Sequence, residues 1–328
     1  MFIRFFKSNQ QATLFALPIL TFLLWVMGFK NHVVLSNLNG MPLYMVLLVS
    51  NGSGALIFYK ILAFVLVVLE AIYLNLVLNF HEVLYKRSHL PSLFYCILMS
   101  LFVPFLNFNA VLAINFLLIL LLDKILLLYK SNTLTIPFEG SLIIGLCSLI
   151  YFPSIVYCIM LFLGLLILRT FSWRDFIGSL IGLLLPYYFF SIYLFWVDGL
   201  GDFWLKLIPS YFNHSIKLGF NLAAPQKVLM LTYAALLVLS LFKLQTNYFK
   251  NTIKVRNFQI IIGLFLIISA SSFVLCPIIQ IEHLCIMAIP SSIFISYYFL
   301  SVKNRLMLEL VFLFILFLIV YNQIIYKY

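Results

Sequence analysis

The sequence predicts an all-α membrane protein, a polytopic bundle of about eleven transmembrane helices with a cytoplasmic N-terminus and a periplasmic C-terminus. Composition is the first reason. Of the 328 residues, 65% are apolar and 9% charged, with a mean hydropathy of +1.16, where soluble domains carry roughly 45–50% apolar and about 25% charged residues. Economy of length is the second: about eleven helices of about 20 residues each use roughly two thirds of the chain, close to its apolar fraction. No stretch of soluble composition is long enough for a separate domain, so residues 1–328 read as one integral-membrane unit.

Charge placement is the third reason. A net charge of +11 would point to nucleic acid in a soluble protein; here it reports topology. Apolar runs place the spans at 12–29, 55–79, 92–107, 110–129, 140–152, 154–168, 176–197, 228–246, 258–276, 285–301 and 306–325. With the N-terminus inside, only Lys30, Lys60, Lys206, Lys217, Lys227 and Lys327 of the 20 basic residues fall outside, and the other fourteen face the cytoplasm. This is the positive-inside pattern. It makes the lipid bilayer the partner of this charge and excludes nucleic acid.

The first run, 12–29, follows Arg4 and Lys7 as a secretory signal would. It lacks a small-residue cleavage pattern and more spans follow it, so it reads as a retained helix. Three later pairs of spans read as hairpins with outward turns, at Asn107-Phe108-Asn109, at Tyr151-Phe152-Pro153-Ser154 and over 277–284. The middle pair reaches only about 20–23 Å at 1.5 Å per residue, against a core of about 30 Å. Its helices must be longer than the apolar run, thin the membrane, or be buried in protein. In the inner link 169–175, Ser172 is placed to cap the next helix with Asp175 three residues on; Trp173 suits the headgroup level, and Arg169 and Arg174 suit anionic lipid.

The longest outer loop is 198–227. Asp202, Lys206, Ser210, Asn213 and Lys217 fall on one helical face, and Phe203, Trp204, Leu207, Tyr211 and Phe212 on the other. That spacing predicts an amphipathic segment lying on the outer leaflet, bent at Pro209.

Charges within spans are the first candidates for chemistry: Lys60 and Glu70 on the second helix, Asp123 and Lys124 on the fourth, Glu309 on the last. Glu70 lies about 13 Å and Asp123 about 9 Å from the inner ends of their helices, depths at which Glu70 is expected to pair with Lys124. Asp123 and Lys124 point apart as sequence neighbours. The set reads as an ion or proton path, or as a structural ion pair with snorkelling lysines. Outside, the candidate acids are Asp198, Asp202 and Glu282; His214 shares the loop of the two aspartates, His283 adjoins Glu282, and His32 lies in the first outer loop. A solvated rim is the simpler reading. HExxH, paired-cysteine, GxSxG, P-loop and GxGxxG patterns are missing, so neither a metal nor a cofactor is assigned. Cys96, Cys147 and Cys158 read as small buried hydrophobes. Cys276 and Cys285 bracket the last outer turn, and the sequence leaves open whether they form a disulfide.

The whole chain, with the hairpin from Pro91 to Lys130 and the stretch LRTFSWRDFIGSLIGLLLPYY at 168–188, resembles an uncharacterised family of bacterial multi-pass inner-membrane proteins; the resemblance implies no activity. The layout of an inside N-terminus, an outer segment after the first helix and hairpins with short outer turns also resembles the GT-C glycosyltransferases, which use polyprenyl-phosphate sugars. That likeness implies a polyprenyl lipid as partner and an acid in the first outer loop. Residues 30–55 hold no acid, leaving Lys30, His32 and Lys60 as candidate ligands for a lipid phosphate.

Three readings follow. The absence of catalytic motifs and of a soluble domain favours a non-catalytic subunit or scaffold in envelope assembly or export, with membrane-protein partners. A GT-C-like transferase is the second. A transporter or flippase is the third, supported by the intramembrane charges and by helix breaks at Pro104, Pro186 and Pro290.

Overall fold

In an apolar medium a chain must satisfy its own backbone polar groups, and runs of Leu, Ile, Val and Phe do so as helices. The computed structural model describes residues 2–7, 12–30, 53–129, 131, 133–169, 172–199, 201, 217–218, 222–276 and 278–325. Along it lie α1 (Phe2–Lys7), α2 (Ala12–Lys30), α3 (Ser53–His81), α4 (Leu90–Leu98), α5 (Ala110–Leu127), α6 (Thr135–Ile150), α7 (Tyr157–Leu168), α8 (Trp173–Trp196), α9 (Ala224–Asn247), α10 (Ile253–Ser271), α11 (Ala288–Ser301) and α12 (Arg305–Ile325). Among the described residues, seven helical stretches are long and apolar enough to cross a membrane: those of α3, α5, α8, α9, α10, α11 with its preceding turn, and α12. This is a membrane-embedded helical bundle. The apolar helices at Ala12–Val26, Thr135–Ile150 and Phe152–Leu168 are shorter.

The expected helix over 92–107 is broken. α4 stops at Leu98, and a 3₁₀ turn follows at Val103–Leu106. Ser100 Oγ bonds back to the Cys96 carbonyl, and Pro104 has no N–H to continue a helix. The carbonyls freed by the break are satisfied from α12: Gln323 Nε2 donates to Ser100 O at 3.1 Å and Asn322 Nδ2 to Leu101 O at 3.2 Å. All nine residues of α4 are buried, so this short helix is the centre around which α2, α3 and α11 pack.

The short hairpin is resolved by burial. α6 begins at Thr135, five residues before the apolar run predicts, and α5 and α8 cover its flanks. Glycines let α6 and α8 approach closely. A Cβ on Gly182 would stand 2.5 Å from Phe138 O, and one on Gly145 2.8 Å from Leu183 O.

The bundle has two distinct ends. At one, the Phe6 carbonyl accepts the His89 N–H at 3.0 Å, and Arg169 donates to Thr133 O at 2.9 Å. At the other, the Tyr59 and Phe108 rings stack at 6.3 Å, and Lys217–Leu218 pairs in parallel with Ile278–Ile279. Ser172 caps α8 as its position predicts, accepting from the Asp175 N–H at 3.3 Å. The Asp175 carboxylate instead turns back to Arg169 at 3.3 Å, with both side chains buried. Arg169 is therefore an internal ion-pair partner and not a headgroup ligand, whereas Trp173 and Arg174 are exposed. The amphipathic segment expected over Asp202–Lys217 lies outside the described residues except for its last position.

Candidate functional site: polar residues along the broken helix

Polar groups in an apolar interior are costly unless paired, which makes them the informative residues here. Tyr95, in the middle of α4, donates its hydroxyl to Glu70 Oε2 of α3 at 2.7 Å. Asn115 of α5 approaches the same hydroxyl with Nδ2 at 3.4 Å and donates to the Cys285 carbonyl at 3.1 Å. Glu70 is fully buried, and its second oxygen, Oε1, has no hydrogen-bond partner among the described residues. Toward the α1 end, Asn75 on α3 meets His89 Nδ1 at 2.8 Å. Amide-to-ring donation there requires the neutral ring with its proton on Nε2, and burial lowers the His89 pKa accordingly. Toward the opposite end, Trp25 Nε1 donates to Ser100 Oγ at 3.1 Å, beside the helix break. The series joins α2, α3, α4, α5 and the turn before α11 by hydrogen bonds through the core.

The charged residues sort themselves differently from the sequence expectation. Glu70 does not pair with Lys124. α3 runs on to His81, whose Nε2 meets Asp123 Oδ1 at 2.8 Å, and Lys124 pairs with Glu139 of α6 at 2.5 Å. Glu70 lies eleven residues up the helix from His81, about 16 Å at 1.5 Å per residue, beyond the reach of a lysine at the Asp123 level. α3 runs two residues past its expected end, α5 stops two residues before its own, and Glu139 of α6 lies within reach of Lys124. Glu82, at a positive φ of 57°, faces Arg87 at 3.3 Å and Lys254 at 4.0 Å.

At the opposite end, Glu282 and His283 are buried rather than solvated, on the 3₁₀ turn Ile281–Met287. His283 Nδ1 meets the Tyr151 hydroxyl, which also lies 3.0 Å from Cys276 Sγ. Cys276 and Cys285 are free thiols; one faces Tyr151, and the other is buried where Asn115 binds its carbonyl. Asp198 is exposed at the end of α8, with a φ of 54°. Nothing among the described residues ties it to Glu282. Lys60 is buried, and its Nζ donates to the Phe29 carbonyl at 3.4 Å, a cation at the C-terminal end of α2 as the helix dipole favours. Asp202, His32, His214 and the Lys30 side chain lie outside the described residues. Among those described, no group of three His, Cys, Asp or Glu residues is placed to hold a metal.

Charged residues, histidines and cysteines do not point to Asn75, Tyr95 or Asn115 as interior partners, and in the sequence Tyr151 reads only as a turn residue. The signal was present: an unpaired amide inside a Leu-rich run costs several kcal/mol, less than a charge but enough to demand a specific partner. Compared with protein-family models, with curated proteins and with solved structures, the chain has no match.

Proposed function

We propose that this chain is a non-catalytic membrane subunit or scaffold serving envelope assembly or export in a bacterial inner membrane. In this reading the chain crosses eleven times, with the broken segment from Leu90 to Leu106 counted as one crossing. The N-terminus is cytoplasmic and the C-terminus periplasmic in this reading, because the segments it assigns to the inside carry fourteen of the 20 arginines and lysines.

One observation carries the proposal. The described interior polar side chains tie helices to one another: Trp25 to Ser100, Glu70 to Tyr95, Asn115 to the Cys285 carbonyl, and Asn322 to the Leu101 carbonyl. Such a network specifies one packing of the bundle. Broad apolar faces on α8, α9 and α12 remain outward for lipid or partner helices.

The second reading, a transporter or flippase, is favoured by Glu70 itself. A fully buried carboxylate with one oxygen unbonded, beside a discontinuous helix, is the arrangement that proton-coupled carriers exploit. Purification in mild detergent with mass spectrometry of proteins and lipids together separates these readings. A membrane-protein partner in fixed stoichiometry supports the subunit. A chain that is isolated alone and moves protons in vesicles only with Glu70 intact supports the carrier, and a retained polyprenyl lipid would restore the GT-C-like transferase.

A further inference from the structure

Beside α1 the bundle opens into a cleft of about 930 Å³, walled by α1, the 82–89 loop and the turn between α11 and α12. Its chemistry follows from the periodicity of α1. Ile3 and Phe6, three apart, are buried against the bundle, which turns Arg4 and Lys7, also three apart, toward the cleft. The His89 N–H bond to the Phe6 carbonyl ties α1 to the loop that presents Lys86. The turn after α11 presents Lys303, and Glu309 is the single acid in the lining. Beneath this basic rim the floor is apolar, made by Ile3, Leu300, Val302 and Leu308.

α12 extends the apolar character outward. Leu306, Leu310, Leu313 and Phe317 are all more than half exposed, and their spacing of three to four residues makes one stripe. It starts at the cleft and runs along the bundle. A basic pocket that opens onto an apolar ridge matches an anionic amphiphile, with the phosphate held by the rim and acyl chains along the ridge. A free phosphate would leave the floor and the ridge unused.

We propose that this cleft binds the phosphodiester headgroup of an anionic phospholipid. The site is independent of the polar residues along α4 and of the subunit reading. Basic pockets beside transmembrane helices recognise such headgroups by charge, and the Tyr85 ring, in contact with Tyr297 and half exposed at the rim, suits the interfacial level.

The test uses the full chain in a neutral detergent, with lipid adducts counted by native mass spectrometry. Phosphatidylglycerol should bind at least about tenfold more tightly than phosphatidylcholine, and R4Q/K86Q/K303Q should remove about tenfold or more of that affinity. A control of equal charge, K227Q/K243Q/K250Q, alters basic residues away from the cleft and should stay within about twofold of the parent. Melting without lipid checks that both variants fold. Equal affinity for the two lipids would overturn the proposal, as would equal losses in the two triple variants. Displacement of phosphatidylglycerol by inorganic phosphate alone, with the same dependence on Arg4, Lys86 and Lys303, would make this a soluble-anion site and would also overturn it.

Discussion

Glu70 and Tyr95 form the contact on which the interior of the molecule turns. Glu70→Ala leaves the Tyr95 hydroxyl without its acceptor, and Tyr95→Phe leaves a buried carboxylate without its donor. Each should destabilise by about 1–3 kcal/mol or more, the cost of an unsatisfied buried group, and the double variant should lose clearly less than the sum. Thermal melting in detergent measures this, and strict additivity would show the contact to be incidental. His89 adds a pH dependence. Its pKa is lowered from 6.5 by burial, so the folded state binds this proton less readily than the unfolded chain. The stabilisation is complete above about pH 6.5 and is lost as the pH falls through the lower, folded value. The melting temperature should fall on acidification from pH 7 to about pH 5, and less steeply in His89→Gln, which carries no titrating ring. None of these partners was legible from charge counting, because Tyr95, Asn75 and Asn115 carry no charge and their partners lie on other helices.

At the scale of elements, turns were more legible than interruptions. The turns at Asn107 and Tyr151 stand where the sequence predicts, since proline and asparagine mark turns by local chemistry. The break after Leu98 was hidden inside an apolar run. Its local signals, Ser100 and Pro104, are weak alone, and what makes the break tolerable is supplied by Asn322 and Gln323, more than two hundred residues away. The contact of α6 with α8 gives an internal comparison. Gly182→Ala places a Cβ against the Phe138 carbonyl, a backbone atom that cannot yield, whereas Gly178 on the same helix faces open space. Gly182→Ala should cost about 1–3 kcal/mol through overpacking. Gly178→Ala should be neutral or stabilising by up to about 1 kcal/mol. Equal effects in a melting series would mean that α6 and α8 do not pack this way.

For the whole molecule, Phe6 meets His89 and Tyr59 meets Phe108, two pairs in which both partners lie on segments the positive-inside rule assigns to one side. That much was legible because hydropathy and loop charge are local properties of the sequence. Orientation is checked by reporter fusions: after Arg169 and Arg256 they should report cytoplasm, and after Lys217 the outside. An inside signal at Lys217 would invert the model.

A subunit or scaffold requires that ionisable groups in and around the bundle hold structure and do no chemistry. The most direct test of this is complementation of a deletion strain by one variant carrying Asp198→Asn, Asp202→Asn, Glu282→Gln and Glu70→Gln. These replacements keep side-chain shape while removing the three outer candidate acids and the carboxylate beside the broken helix, and the isosteric amides matter because Glu70 and Glu282 are buried. The scaffold account predicts that the phenotype is restored at normal membrane levels of the protein. Failure to restore it, with the variant present at those levels, would contradict the account and return the protein to catalysis or transport.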